Sequence, residues 1–166
     1  MKKILAFSLV VTMLLCTLAL SSCGSNSGNG LSSGKGTQKE EEFYNLVDET
    51  QDLLDTVADD IYSYWYDCIY NDKYLDNITY AVACAKTANK TNLDTIEENT
   101  KAIKSLYKEI KDGKLAEEAK AVMQAYNDYY TLVVEVSGSF NSYAASKENC
   151  KKELASALDD LSFELD

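Results

Sequence analysis

The sequence predicts an all-α fold: an antiparallel bundle of three long helices, the third kinked or broken near Ser137–Ser139. A full break there would raise the count to four. Three observations predict this class. Apolar residues recur at 4-3 spacing in three successive runs, the seam that packed helices share. Sustained period-two alternation, the mark of a half-buried strand, occurs nowhere. The chain has no proline, so nothing forces a break in a long helix.

The first helix is expected to begin near Gln38. Thr37-Gln-Lys-Glu40 has the form of a capping box, in which two first-turn donors are satisfied reciprocally. The seam then runs through Phe43, Val47, Thr50, Leu54, Val57, Ile61, Tyr64 and Cys68, widened by Leu46, Leu53 and Ile69. Asn71-Asp72 can end this helix and cap the next.

The second run is Leu75, Ile78, Val82, Ala85, Asn89, Asn92, Ile96, Asn99, Ile103, Leu106 and Ile110. It stops at Asp112-Gly113, where Gly113 is expected as a left-handed C-terminal cap. The third run is Leu115, Ala119, Val122, Tyr126, Tyr129, Val133, Val136, Phe140, Tyr143, Lys147, Cys150, Leu154, Ala157 and Leu161. Gly138 between two serines is unfavourable in a helix interior by about 1 kcal/mol, which predicts the kink or break. Short turns at 71–72 and 112–113 make consecutive helices antiparallel neighbours.

These turns also set heights. Asn89 and Asn92 come level with residues 55 and 52 of the first helix and with residues 137 and 134 of the third, to about one turn. Thr50 and Asn99 lie one to two turns away. Such a polar layer fixes register, as a core Asn does in coiled coils. The second reading is a small ligand pocket on Asn89 and Asn92 beside the 137–139 interruption. The third run overshoots the others. Leu154, Leu158, Leu161, Phe163 and Leu165 must either be turned back onto the bundle or dock on another molecule. Cys68 and Cys150 both come level with residue 76, so a bridge between them and three reduced thiols (with Cys84) are both open.

Tyr62, Tyr64, Trp65, Tyr66, Tyr70, Tyr74 and Tyr80 crowd one end. Positions 64, 65 and 66 cannot all face inward, so aromatic surface is expected outside near Tyr66 and Tyr70. Tyr66, Tyr70 and Tyr74 are the candidate binding residues there, for a protein partner or a glycan.

Lys2 and Lys3 precede an apolar run to Leu20 that is short for a spanning helix and ends in small residues. Leu20-Ser21-Ser22-Cys23 resembles the lipobox of bacterial lipoproteins. That resemblance implies residues 1–22 as signal peptide, diacylglycerol on Cys23, and Cys23 as the mature N-terminus. Two acyl chains hold stably, since each buried methylene contributes about 0.8 kcal/mol. Residues 23–38 then form a Gly/Ser-rich tether reaching about 20–25 Å, and residues 39–166 the helical body. The expected location is the cell membrane, lipid-anchored, with the body extracytoplasmic and the aromatic end and C-terminal tail distal. The segment Trp65-Tyr66-x-x-Ile69-Tyr70, with Ser137-Gly138-Ser139-Phe140 later, is similar to an uncharacterised set of helical lipoproteins of low-GC Gram-positive bacteria. That set carries no established activity, and none is implied.

The net charge is −11, and every basic residue is lysine. An acidic body is repelled by nucleic acid, so no nucleic-acid partner is expected. There is no histidine, which removes the commonest general base, Ser-His and Cys-His pairs and the Glu-x-x-His di-metal bundle site. No cysteine pair has zinc spacing, and no glycine loop cradles phosphate. The acidic pairs, such as Glu117-Glu118 and Asp159-Asp160, diverge on a helix and read as solvated faces. No catalytic residue, metal or cofactor is expected. The expected function is a non-catalytic interaction domain meeting a protein partner at the cell envelope. The alternative is a lipoprotein that binds a small ligand or glycan.

Overall fold

A computed structural model describes residues 37–165. The signal segment, Cys23 and the tether up to residue 36 lie outside the described residues. The fold is all-helical, with no strand among the described residues. There are five α-helices: α1 (Gln38–Tyr70), α2 (Ile78–Ala88), α3 (Lys90–Ile110), α4 (Ala116–Val134) and α5 (Phe140–Leu165), with a short 3-10 turn at Tyr74–Asp76 before α2. The break expected near Ser137–Ser139 is present, whereas a division of the second run was not expected. The second run divides at Asn89 and the third at residues 135–139.

Helix α1 is the spine and packs against the other four. It opens on the expected capping box, with the Thr37 side chain accepting from the Glu40 backbone and the Glu40 carboxylate accepting from Thr37 N–H at 2.6 Å. Its buried stripe is Phe43, Val47, Thr50, Leu54, Val57, Ile61, Trp65 and Cys68, joined by Ala58. The stripe steps from Ile61 to Trp65, leaving Tyr64 half-buried. The stripe is back in heptad phase at Cys68, so Trp65 takes the inward place that the 4-3 spacing gives to Tyr64.

Directions follow from facing side chains. Lys39 pairs with Glu109, Asn99 Nδ2 donates to Thr50 Oγ1 at 3.0 Å, and Asn89 Nδ2 donates to Asp60 Oδ2 at 2.7 Å. So α3 runs antiparallel to α1. Asn89 thus lies level with residue 60 rather than 55. The cause is the connection between α1 and α2, which takes residues 71–77 rather than the two-residue turn expected. Thr100 and Tyr126 hydroxyls lie 2.6 Å apart, which sets α4 against α3. On the other flank, Lys147 pairs with Asp59 and Lys151 with Asp55, so α5 also runs antiparallel to α1.

The 135–139 interruption is a complete turn. Gly138 takes φ +85°, which favours glycine, and a Cβ there would meet Ser142 Oγ at 2.7 Å and push it from its capping position. Ser139 and Ser142 then cap α5 reciprocally. Ser142 N–H donates to Ser139 Oγ at 3.2 Å, and Ser139 N–H donates to Ser142 Oγ at 2.8 Å. The turn sends the C-terminal segment back over the bundle, where Leu154, Leu158 and Leu161 are buried. The overshoot is resolved by packing, and α5 ends beside the start of α4. The tail therefore lies at the end opposite the aromatic cluster, not with it. Phe163 remains 77% exposed.

One further expectation is corrected, and one open alternative is decided. Gly113 does not adopt the left-handed conformation; of the glycines described, Gly138 does. At Gly113 the fit is close: a Cβ would lie 3.0 Å from the Ile110 carbonyl oxygen and 3.1 Å from Glu40 Oε1. Cys68, Cys84 and Cys150 are free thiols. The Lys151–Asp55 pair puts Cys150 about twelve residues along α1 from Cys68, roughly 18 Å at 1.5 Å per residue. A disulfide needs Cα atoms within about 7 Å.

Candidate functional site

The end of the bundle where α1 meets α2 and α5 collects the aromatic side chains. Two ladders form there. In one, Tyr64 stacks on Tyr74 at 5.1 Å and Tyr74 meets Tyr80 edge-on at 6.5 Å. In the other, Phe140 is the hub. It stacks on Tyr62 at 4.9 Å and touches Trp65, Tyr66 and Tyr70 at 6.0–6.2 Å. Tyr66 and Tyr70 also pack on each other at 4.7 Å. Lys147 Nζ lies 5.1 Å above the Tyr62 ring. The Phe140 ring therefore joins the end of α1 to the start of α5.

The chain between α1 and α2 is held by Asp67. Its backbone carbonyl accepts from the N–H groups of Asn71 and Lys73. Its carboxylate accepts from Asn71 Nδ2 at 2.6 Å and Lys73 Nζ at 2.7 Å. The Lys73 ammonium, then the Asn71 amide, hold the Asp67 carboxyl below the usual carboxylate range. Asn77, rather than Asp72, caps α2, accepting from Tyr80 N–H at 3.0 Å. Between them Asp72, Tyr74, Leu75 and Asp76 have φ of +50°, +58°, +57° and +53°. Left-handed backbone costs about 1–2 kcal/mol per non-glycine residue. Tyr74 is held there by its stack on Tyr64, and burial pushes its phenol up. Leu75 has no comparable support; it is 89% exposed.

Six of the eight large hydrophobic side chains that are exposed among the described residues fall here: Tyr66, Ile69, Tyr70, Leu75, Ile78 and Tyr80. The candidate residues Tyr66, Tyr70 and Tyr74 are thus brought to one end, with Tyr66 and Tyr70 exposed and Tyr74 half-buried. Asn89 and Asn92 are not part of it. Asn89 Nδ2 donates to Asp60 and to the Ala85 carbonyl, while Asn89 Oδ1 accepts from Asn92 Nδ2 at 3.1 Å. The layer is closed on itself, and neither amide lines the cleft beside the 137–138 turn. What the sequence pattern missed is Trp65, which sits one position off the expected seam. Its one detectable sign is the four-residue step from Ile61.

That cleft encloses about 250 Å³ between Trp65, Ile78, Thr79, Val82, Val136, Ser137 and Gly138. Trp65 is 4% exposed, and its Nε1 is buried with no acceptor. A second cleft of about 410 Å³ is lined by Glu117, Glu118, Ala121, Asp160, Phe163 and Glu164 at the opposite end. Among the described residues no group of three or more acidic or thiol side chains is arranged to hold a metal. None of their helices is long and apolar enough to cross a membrane.

No protein-family model matches this chain, and no curated protein or solved structure matches it significantly. Roles for these residues rest on their geometry.

Proposed function

We propose that the protein is a lipid-anchored, extracytoplasmic helical domain without catalytic activity, and that it works by docking a protein partner on its aromatic end. The observation that carries this reading is the concentration of exposed Tyr66, Ile69, Tyr70, Leu75, Ile78 and Tyr80 around one turn. Scattered surface hydrophobics need no explanation, but a contiguous patch marks an interaction site. Tyrosine is also among the residues that dominate interface energetics. The strained Leu75 fits the same reading, since backbone strain unrelieved by local packing concentrates at binding sites. The lipobox-like Cys23 would tether the start of α1, leaving this end farthest from the membrane.

The test is site-specific photocrosslinking in the native envelope. A photoreactive phenylalanine analogue replaces Tyr70, and in a control Glu98 on the solvated face of α3. A discrete protein adduct from position 70 and none from position 98 is expected. Equal yields from both, or none from 70, would remove the docking assignment. For the anchor, Cys23→Ser is expected to move the body from the membrane to the soluble fraction. Retention on the membrane would count against lipidation there.

A further inference from the structure

We infer that the cleft beside Trp65 is a binding site for a small, neutral, largely apolar molecule carrying a carbonyl or hydroxyl oxygen. This site shares Ile78 with the docking surface but does not rest on that reading. Three observations converge. The first is shape and lining: about 250 Å³ walled by Trp65, Ile78, Thr79, Val82, Val136, Ser137 and Gly138, with no charged side chain in the wall. Small-molecule sites are mostly apolar with a few fixed polar groups. An ion would enter without a counter-charge, which is costly, and the chain as a whole is strongly acidic.

The second is the indole. Trp65 Nε1 is the one buried side-chain nitrogen or oxygen without a hydrogen-bond partner among the described residues. An orphaned buried donor costs about 1–3 kcal/mol, and native structures pair such groups almost always. Indole is a donor only, so the missing partner is an acceptor. The third is the opposite wall. Ile78 and Thr79 open α2, where first-turn N–H groups have no carbonyl within the helix. The Asn77 cap reaches Tyr80 N–H, and the Asn77 carbonyl takes Ala81 N–H. Neither bond takes the N–H of Ile78 or Thr79, so the start of α2 adds backbone donors on this side. Nε1 is covered in this structure, so a ligand reaches it only if the remaining wall, the non-helical turn through Val136, Ser137 and Gly138, moves aside.

Trp65 is the sole tryptophan, so its indole N–H gives a single side-chain resonance in a nitrogen-15 correlation spectrum of the full chain. The probes are cyclohexanone, methylenecyclohexane of near-equal shape with no oxygen, and cyclohexanecarboxylate. Cyclohexanone is expected to move the indole proton downfield, saturably, in the millimolar range for so small a ligand. Methylenecyclohexane and the carboxylate are expected to give less than a third of that displacement. Val82→Phe, which fills the cleft, is expected to abolish the response while leaving the rest of the spectrum dispersed. No saturable shift with cyclohexanone in the wild-type chain would overturn the site. So would equal shifts from all three probes, which would mean nonspecific solvent effects. Should Val82→Phe lose dispersion, Thr79→Leu, on the same wall, takes its place with the same expected loss. A full response in the filled variant that folds would also overturn it.

Discussion

Asn89 Nδ2 lies 2.7 Å from Asp60 Oδ2 and 3.1 Å from the carbonyl oxygen of Ala85. One amide therefore sits at a helix junction and fixes a register. The Ala85 carbonyl accepts from both the side chain and the backbone N–H of Asn89, each at 3.1 Å. The helix is interrupted for one residue, and α2 gives way to α3. By reaching Asp60, the same amide pins this junction to α1.

Replacing Asn89 with leucine is expected to destabilise the fold by about 1–3 kcal/mol. Asp60 and Asn92 would each lose a partner, and the leucine would have no shaped pocket to fill. Urea unfolding at pH 7 would show a lowered midpoint with an unchanged slope. A midpoint unmoved by the substitution would mean that the polar layer contributes nothing to the register.

Stability should fall steeply above pH 10. Burial, only partly offset by the hydrogen bond to Thr100, pushes the Tyr126 phenol up to about 12 from an ordinary value of 10. Burial also raises Tyr129 and Tyr143 well above the usual phenol range. Between pH 10 and 12 the unfolded chain has released the Tyr126 proton and the folded chain has not. The folded state then binds more protons, so each pH unit removes about 1.4 kcal/mol for this group alone. Urea midpoints measured from pH 8 to 11.5 should be level at first and then drop. Tyr126→Phe should soften the drop by one group's share, at a cost of about 1 kcal/mol at pH 7. Thr100 keeps a partner in the Ile96 carbonyl at 2.6 Å.

Gly138→Ala should cost more than Ser139→Ala. The alanine would hold φ +85° against its own Cβ and push on Ser142 Oγ at 2.7 Å, for about 1–3 kcal/mol. The serine change removes an N-terminal cap, for about 1 kcal/mol. Removing the chain from Leu154 onward should be worse than either, because Leu154, Leu158 and Leu161 are all buried. Melting curves for the three variants should keep this order. A truncated chain that melts with the wild type would contradict the packing of α5.

The seams were legible because burial follows period. From Phe43 to Leu161 nearly every residue at 4-3 spacing is buried or half-buried, since facing helices leave few other places for apolar side chains. Leu75 and Ile78 are the exceptions, because local turn chemistry overrode the pattern. Asp67 gathers the donors of Asn71 and Lys73, which lengthens the connection and delays α2 until Asn77 can cap it. The Ser139–Ser142 cap was missed because serine, not glutamate, stands in the fourth position. The exposed aromatics could be inferred from three adjacent rings on one helix. The Trp65 cleft could not, because it depends on where a turn from the far end of the chain comes to rest.

Leu75 separates stability from function. It sits at φ +57° with its side chain in solvent, so it contributes strain and little packing to the isolated chain. Leu75→Gly removes a left-handed penalty of about 1–2 kcal/mol. It adds back about 0.5–1 kcal/mol of unfolded-state entropy. The net expectation is a gain of up to about 1 kcal/mol, visible as a higher urea midpoint. If the leucine is a docking residue, the same substitution should lower the photocrosslinking yield from position 70, even though the protein is more stable. Strained binding residues show this trade when they are relaxed. A variant that is stabilised and crosslinks as well as the parent would place the partner's contact elsewhere on the aromatic end.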